Sequence, residues 1–306
     1  MTEIRVDVGI IGGGPAGLSA ALTLVRARRD VAVIDEGRPR NRVTRGSHGF
    51  LTRDGIPPGE FRRIARKQIE AYPSVRFLDD AAVSVSGADG DFRIATARGT
   101  VVRCKKLLFA VGKKDIPLPI PGLAEAYGKS AFVCPYCDGW ELRDQPLVLI
   151  ANGARALQMA KTLSGWTGRF VICTNGPADW SKEQREELNR RHIPAYEAPI
   201  RTIESDDGMV RRVALEDGTV VHCAGIFFAP ALAAGSELPR TIGCRMTDAG
   251  TVVADAFGRT GVPGVYSAGD AVSELYQVVA AASMGSLAGV GINGELLEED
   301  WTRRSP

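Results

Sequence analysis

Short apolar runs alternate with amphipathic stretches along the chain, and one arrangement of them occurs twice. Residues 6–11 form an apolar strand, Gly12-Gly13-Gly14-Pro15-Ala16-Gly17 a turn, residues 18–28 an amphipathic helix, and residues 31–34 a second strand ending at Asp35. A weaker copy follows: strand 147–150, the turn Ala151-Asn152-Gly153-Ala154-Arg155-Ala156, helix 157–163 and strand 170–173. Two further runs, 107–112 and 226–230, read as buried strands that end in small or turn residues, each closing its own sheet. The pattern predicts an α/β protein with two Rossmann-like dinucleotide-binding domains.

The stretch Ile116-Pro117-Leu118-Pro119-Ile120-Pro121-Gly122 cannot continue a helix or a central strand and reads as a linker. With the return crossing placed at residues 244–248, the first domain is discontinuous, 1–115 plus 246–306, around a central domain at 116–245. Segment 250–293 rejoins the first domain, and the tail 301–306 is short and polar.

Composition narrows the partners. Lys and Arg total 38 against 36 Asp and Glu, and a net charge of +2 is too small for the field a nucleic-acid binder uses. Residues 8–25 carry no charge, but Gly12, Gly13, Gly14, Pro15 and Gly17 interrupt them and the lone Arg5 is not a basic leader, so neither a membrane span nor a signal core is expected. The six cysteines do not suggest a disulfide framework, and a cytoplasmic protein is expected. Glycine, 35 of 306 residues, is in excess over the ~7% average, and the excess lies in loops that follow apolar runs.

The first glycine turn carries a mechanism. Gly12 permits the tight turn, Gly14 lets the backbone approach a pyrophosphate, Gly17 lets helix and strand pack closely, and Asp35 can bond ribose hydroxyls. Near the C-terminus a strand ends in Gly269-Asp270 and a helix begins near Gln277, which delivers a second carboxylate and a helix start to one place. In the central domain stands Cys134-Pro135-Tyr136-Cys137-Asp138-Gly139. A structural zinc site needs four ligands, and the chain has no second Cys-x-x-Cys and only His48, His192 and His222, so no metal is expected. Two cysteines so spaced can close a disulfide, and the carboxylate after them can relay the proton of thiol–disulfide exchange.

Over nearly its whole length the chain resembles the low-molecular-weight thioredoxin reductases among the two-dinucleotide-fold flavoproteins. The resemblance implies FAD as cofactor, held by Gly12, Gly14, Gly17, Asp35, Gly112, Gly269, Asp270, Gln277 and Val278, with Asp270 on the ribityl chain and Gln277 and Val278 facing the pyrimidine end. The run Phe109-Ala110-Val111-Gly112 resembles the family's Ala-Thr-Gly loop, with Val111 in place of Thr. By the same resemblance Cys137 faces the flavin, Cys134 exchanges with the substrate sulfur, Asp138 is the acid–base group, and the protein is a homodimer.

The second turn departs from the family pattern. Ala151 stands at the first glycine, Gln158 and Met159 where acids are usual, and Thr174-Asn175 where cations would hold the 2′-phosphate of NADPH; Arg155 and Arg169 are the nearest cations. NAD(P)H is therefore not expected to serve this site, which leaves oxygen or a ferredoxin-type protein as electron partner. The substrate is expected to be a small disulfide protein or a small-molecule dithiol. The loop Ser47-His48-Gly49-Phe50-Leu51 and Arg53-Asp54-Gly55 resemble the family's dithiol oxidases, whereas Asp138 is reductase-like, many oxidases having His there. An ordinary NADPH-dependent thioredoxin reductase is the rival in the same fold, and a non-enzymatic flavin redox sensor is the rival of another class. His48 reads either as a solvated loop residue or as a proton relay near the flavin. Cys104, Cys173, Cys223 and Cys244 read as small buried hydrophobes, and Arg185, Glu186, Glu187, Arg190 and Arg191 as the solvated face of a helix.

Overall fold

A computed structural model describes residues 2–116 and 118–303; Pro117 of the proline-rich linker and residues 304–306 of the tail lie outside the described residues. The chain packs as two units, one of residues 1–42, 49–114 and 232–306, the other of residues 43–48 and 115–231. The first unit opens with β1 (Glu3–Ile11), α1 (Pro15–Arg26), β2 (Val31–Ile34), α2 (Pro58–Glu70), β3 (Val75–Leu78), β4 (Ala82–Ala88), β5 (Asp91–Thr96) and β6 (Val101–Phe109). After β7 (Lys113–Ile116) come α3 (Leu123–Ala126), β8 (Ala131–Phe132), α4 (Pro135–Asp138), β9 (Leu147–Ile150), α5 (Gly153–Leu163), β10 (Phe170–Cys173), α6 (Lys182–Arg190) and β11 (Ala195–Tyr196). An antiparallel trio, β12 (Ile200–Asp206), β13 (Met209–Leu215) and β14 (Val220–His222), precedes β15 (Gly225–Phe228). Then β16 (Ala231–Ala234), α7 (Leu238–Thr241), β17 (Val265–Ser267) and α8 (Val278–Arg303) complete the chain.

The first sheet runs in the order β3-β2-β1-β6-β5-β4, with β17 also on β6. The strands β3, β2, β1, β6 and β17 are parallel, and β5 and β4 join antiparallel. Alternation along the strands feeds two cores. Val8, Ile10, Val31, Val33 and Leu108 face α1 and α8, while Ile11, Ala32, Ile34, Leu107 and Phe109 face Leu238, Cys244 and Val252. Each fully buried large side chain here contributes about 1.5–3 kcal/mol.

That second core corrects the expected return boundary. The chain rejoins the first unit at Leu232, well before residues 244–248, because Leu238, Cys244 and Val252 cover the open face of the first sheet. Segment 43–48 also leaves the expected first domain and packs with the second unit. Neither β6 nor β15 closes a sheet: β6 lies between β1 and the β5/β17 pair, and β15 between β9 and β8. Two helices start earlier than the apolar pattern predicts, α1 at Pro15, whose fixed φ suits a first helical turn, and α5 at Gly153.

Helix α8 is rich in glycine because it lies against α1. A Cβ on Gly285 would stand 2.0 Å from the Ala16 carbonyl oxygen, so backbone approach offsets the ~0.5–1 kcal/mol that a helical glycine costs. An ionic cluster ties α8 to the sheet: the fully buried Lys106 ammonium donates to Asp89 at 2.6 Å, to Glu295 at 2.5 Å and to Glu299. The apolar pattern gave no sign of it. Among the described residues no helix is long and apolar enough to cross a membrane.

The second unit repeats the plan with a parallel sheet, β11-β10-β9-β15-β8. Leu147, Leu149, Ile172 and Phe227 face α5 and α6, and Val148, Ile150, Ile226 and Phe228 face the antiparallel trio. Ile120 and Pro121 of the proline-rich stretch are packed into this unit, since Ile120 is buried and Ile203 N donates to Pro121 O at 2.8 Å.

Candidate active site

In the first unit the turn after β1, the acid after β2, the turn after β6 and the turn after β17 all lie at the C-terminal edge of one parallel sheet, where strand order reverses between β1 and β6. Gly12 has φ +108, and a Cβ there would stand 2.2 Å from Ala110 O; a Cβ on Gly17 would stand 1.9 Å from Gly12 O. Gly14 has no protein atom within 4 Å of the same position. Two glycines are thus required by protein packing and the third faces open space at the start of α1, as a cradle for a pyrophosphate does. Gly269, φ +73, brings Asp270 beside the start of α1, where a Cβ on it would meet Ala16 Cβ at 2.8 Å. Gly112, φ +64, faces open space, and Gly235 N donates to its carbonyl at 3.0 Å. Gln277 precedes α8 and its carbonyl accepts from Ala281 N, while Val278 is the first helical residue. All nine residues expected at the cofactor therefore belong to this unit, and the open turn between two carboxylates fits an adenine dinucleotide.

Two arginines at this edge escaped the sequence reading. Arg62 on α2 donates through Nε to Gly13 O at 3.1 Å and through Nη2 to Asp35 Oδ2. Arg40 stands 3.7 Å from Asp270 Oδ2 and 4.7 Å above the Tyr276 ring. Both pairings span segments far apart in sequence, and no local motif announces them.

In the second unit Cys134 and Cys137 form a disulfide, with Cα atoms 5.3 Å apart. Pro135 starts the short helix α4, and Cys137 N and Asp138 N both donate to Cys134 O, at 3.0 and 3.2 Å. Gly139 lets Trp166 close over the turn, where a Cβ would meet its ring at 2.9 Å, and Tyr136 stands edge-on to that ring at 5.2 Å. The Asp138 carboxyl is pushed up to about 7, first by burial, with His48 opposing and Glu141 adding to the rise. His48 Nε2 lies 3.6 Å from Glu141 Oε1. The loop after Asp35 thus carries His48 into the unit of the disulfide. By contrast, burial pushes the Cys104, Cys173 and Cys223 thiols up to about 12, which suits small buried hydrophobes.

The second glycine turn lies against another segment of its own unit, and a Cβ on Gly153 would meet Asp179 O at 3.5 Å. Its left-handed residue is Gly153, φ +61, where the first turn has Gly12. Asn152 Oδ1 accepts from Gly153 N at 2.8 Å and from Asp179 N at 2.9 Å, and Asn152 Nδ2 donates to Pro177 O at 2.9 Å. Trp180 Nε1 donates to Gly153 O at 3.2 Å. The segment after β10 is thereby folded onto the start of α5. Thr174 Oγ1 donates to Gly176 O at 2.6 Å, and Asn175 Oδ1 accepts from Ile200 N at 2.7 Å. The two nearby cations are tied to carbonyls, Arg155 to Pro230 O at 3.5 Å and Arg169 to Asp144 O at 3.3 Å.

The family model of the pyridine nucleotide-disulphide oxidoreductases matches residues 6–285. The chain is 33% identical to the thioredoxin reductase tcpT of Claviceps purpurea over 97% of its own length and 96% of that protein. It is 34% identical to a protein of Arthroderma benhamiae named as a probable thioredoxin reductase, over 71% of this chain and 55% of the relative, so it spans about half of that relative's length. Among solved structures, TrxB of Bacillus anthracis, a candidate thioredoxin reductase, superposes with a TM-score of 0.92 at 38% identity, covering 96% of this chain and 99% of the other.

Proposed function

The chain belongs to the pyridine nucleotide-disulphide oxidoreductases, and from that premise we propose that it is an FAD-linked oxidoreductase that takes electrons from an external dithiol through Cys134 and Cys137, without a pyridine nucleotide. The observation that carries the proposal is the contrast between its two glycine turns: a Cβ on Gly14 would meet nothing within 4 Å, whereas at the matching Gly153 it would meet Asp179 O at 3.5 Å, on a segment that Asn152 Oδ1 and Gly153 O hold in place. Nucleotide phosphates bind at helix-start amides. Here the first amide of α5 is already bonded to Asn152.

Asp138 accepts the proton of an incoming thiol, and the resulting thiolate attacks Cys134 Sγ. The Cys134–Cys137 bond breaks and its electron pair leaves on Cys137 Sγ. The second substrate thiol attacks its own sulfur in the mixed disulfide, which releases Cys134. The sum is one substrate dithiol oxidised, one protein disulfide reduced, and two protons moved to the protein or to water. A carboxyl at about 7 suits this work, because it exchanges protons near neutral pH. Gly12, Gly14, Gly17, Asp35, Gly112, Gly269, Asp270, Gln277 and Val278 would hold the FAD. When bound, FAD supplies the two-electron acceptor for the reduced pair. Molecular oxygen is the proposed final acceptor, and a ferredoxin-type protein is the alternative partner.

The relatives' names support a second reading, an NADPH-dependent reductase of a small disulfide protein such as thioredoxin. Steady-state assays separate the two. Oxygen uptake driven by dithiothreitol, unchanged by NADPH, supports the first, and NADPH-driven reduction of thioredoxin the second; no turnover of either kind points to a redox sensor. The thiols of the four free cysteines fit a cytoplasmic setting. A homodimer is supported by the outer stripe of α8, where Val279, Leu287, Val290, Leu297 and Trp301 are exposed at helical spacing. Leu297→Glu should convert a dimer to a monomer on sizing.

A further inference from the structure

We propose that His48 is a positioning residue for Asp138, which it serves together with Glu141 by setting the protonation of the carboxyl beside the redox pair. The inference rests on the reading of Asp138 as the acid–base group. Its first support is where the chain goes. After β2 the backbone leaves the first unit for residues 43–48 alone, returns at Gly49, and packs those six residues with the unit that holds Cys134 and Cys137. The excursion is pinned at both ends. Gly128, φ +79, approaches so closely that a Cβ would stand 2.1 Å from Val43 O, and Ser47 is buried. His48 itself is half-buried, 27% exposed, with Nε2 3.6 Å from Glu141 Oε1. A merely solvated loop histidine needs none of this.

The second support is chemical. An imidazole offers a proton acceptor and a donor on its two ring nitrogens. His48 and Glu141, 3.6 Å apart, act on Asp138 in opposite directions, His48 favouring the carboxylate and Glu141 the acid. Each proton that Asp138 takes from a substrate thiol has to leave before the next exchange. A histidinium nearby favours that departure, because it favours the carboxylate, and no bond other than those to hydrogen changes in the step.

The test uses the holoenzyme without oxygen, dithiothreitol as the probe, and acid quench with alkylation to count reduced Cys134 and Cys137 between pH 5 and 9. The wild-type rate should turn near pH 7. His48→Gln should move the turning point up by about one pH unit and, through the smaller ionised fraction of Asp138, slow exchange at pH 7 about fivefold. Glu141→Gln should move it down. Asp138→Asn should abolish it, and adding His48→Gln to that variant should change nothing further. His48→Asn provides a second variant should the first fold poorly. An unmoved turning point in both histidine variants overturns the inference, as does an equal effect of His48→Gln with and without Asp138. A wild-type rate in Asp138→Asn overturns instead the acid–base reading on which the inference stands.

Discussion

Asn152 Oδ1 accepts the Asp179 amide at 2.9 Å, a contact that draws the segment after β10 onto the turn after β9. In the first unit the residue that matches Gly153 is Gly14, where a Cβ would meet nothing within 4 Å, whereas on Gly153 it would meet Asp179 O at 3.5 Å. The two halves of the chain share a βαβ plan but differ at the position where a dinucleotide would meet its helix.

The first prediction separates cofactor from fold. Gly14→Val puts a side chain into space that no protein atom occupies, so the apoprotein should keep its melting temperature while losing FAD, measured by flavin fluorescence after gel filtration. Gly17→Val puts its Cβ 1.9 Å from Gly12 O and should lower the melting temperature of the apoprotein as well. Equal flavin content in Gly14→Val and wild type would contradict the cradle.

A second prediction concerns the two sulfurs. Cys134→Ser leaves Cys137 as a thiolate, and if that sulfur faces the flavin a long-wavelength charge-transfer band should appear. Cys137→Ser should give none. Both variants should lose turnover with dithiothreitol, and full activity in either would remove the pair from the mechanism.

The fold was legible where its causes are local. The apolar runs of β2, β9 and β10 and the glycine turn after β1 follow from neighbouring residues, and so does the Cys134–Cys137 pair. The remainder depends on partners distant in sequence. Arg62 reaches Asp35 from helix α2, His48 reaches Glu141 from 93 residues earlier in the chain, and Leu238 leaves the expected central domain because an uncovered sheet face needs it. Ala151 was visible as a non-glycine in the turn, but the contacts of Asn152 with Asp179 and of Trp180 with Gly153 required the path of the chain.

The Lys106 cluster gives a stability prediction. Burial alone would lower the lysine's pKa, but hydrogen bonds to Asp89, Glu295 and Glu299 outweigh it and raise it; burial raises Glu295, and the bonds from Lys106 and Tyr266 bring it lower overall. The raised lysine contributes fully below its ordinary 10.5 and loses its contribution as pH rises through the higher folded value. The lowered Glu295 contributes fully above its ordinary 4.5 and loses it as pH falls through the lower folded value. Stability from the cluster should therefore be flat between those limits. Lys106→Met leaves its carboxylates without their cation and should cost about 3–5 kcal/mol at pH 7 by denaturant titration. The deficit should shrink towards pH 4, and a deficit that does not vary with pH would contradict the ionic account.

The claim at the centre is that electrons enter from a dithiol and not from a nucleotide. Losing even one charge-assisted phosphate contact, worth about 1.5–3 kcal/mol, weakens binding roughly tenfold to a hundredfold, and here Asn152 also takes up the first amide of α5. The direct measurement is anaerobic stopped-flow absorbance of the oxidised holoprotein mixed in turn with NADPH, NADH and dithiothreitol. Dithiothreitol should bleach the flavin through Cys134 and Cys137, and neither nucleotide should do so within seconds at sub-millimolar concentration. Rapid bleaching by micromolar NADPH would contradict the account and place the protein among the nucleotide-dependent reductases.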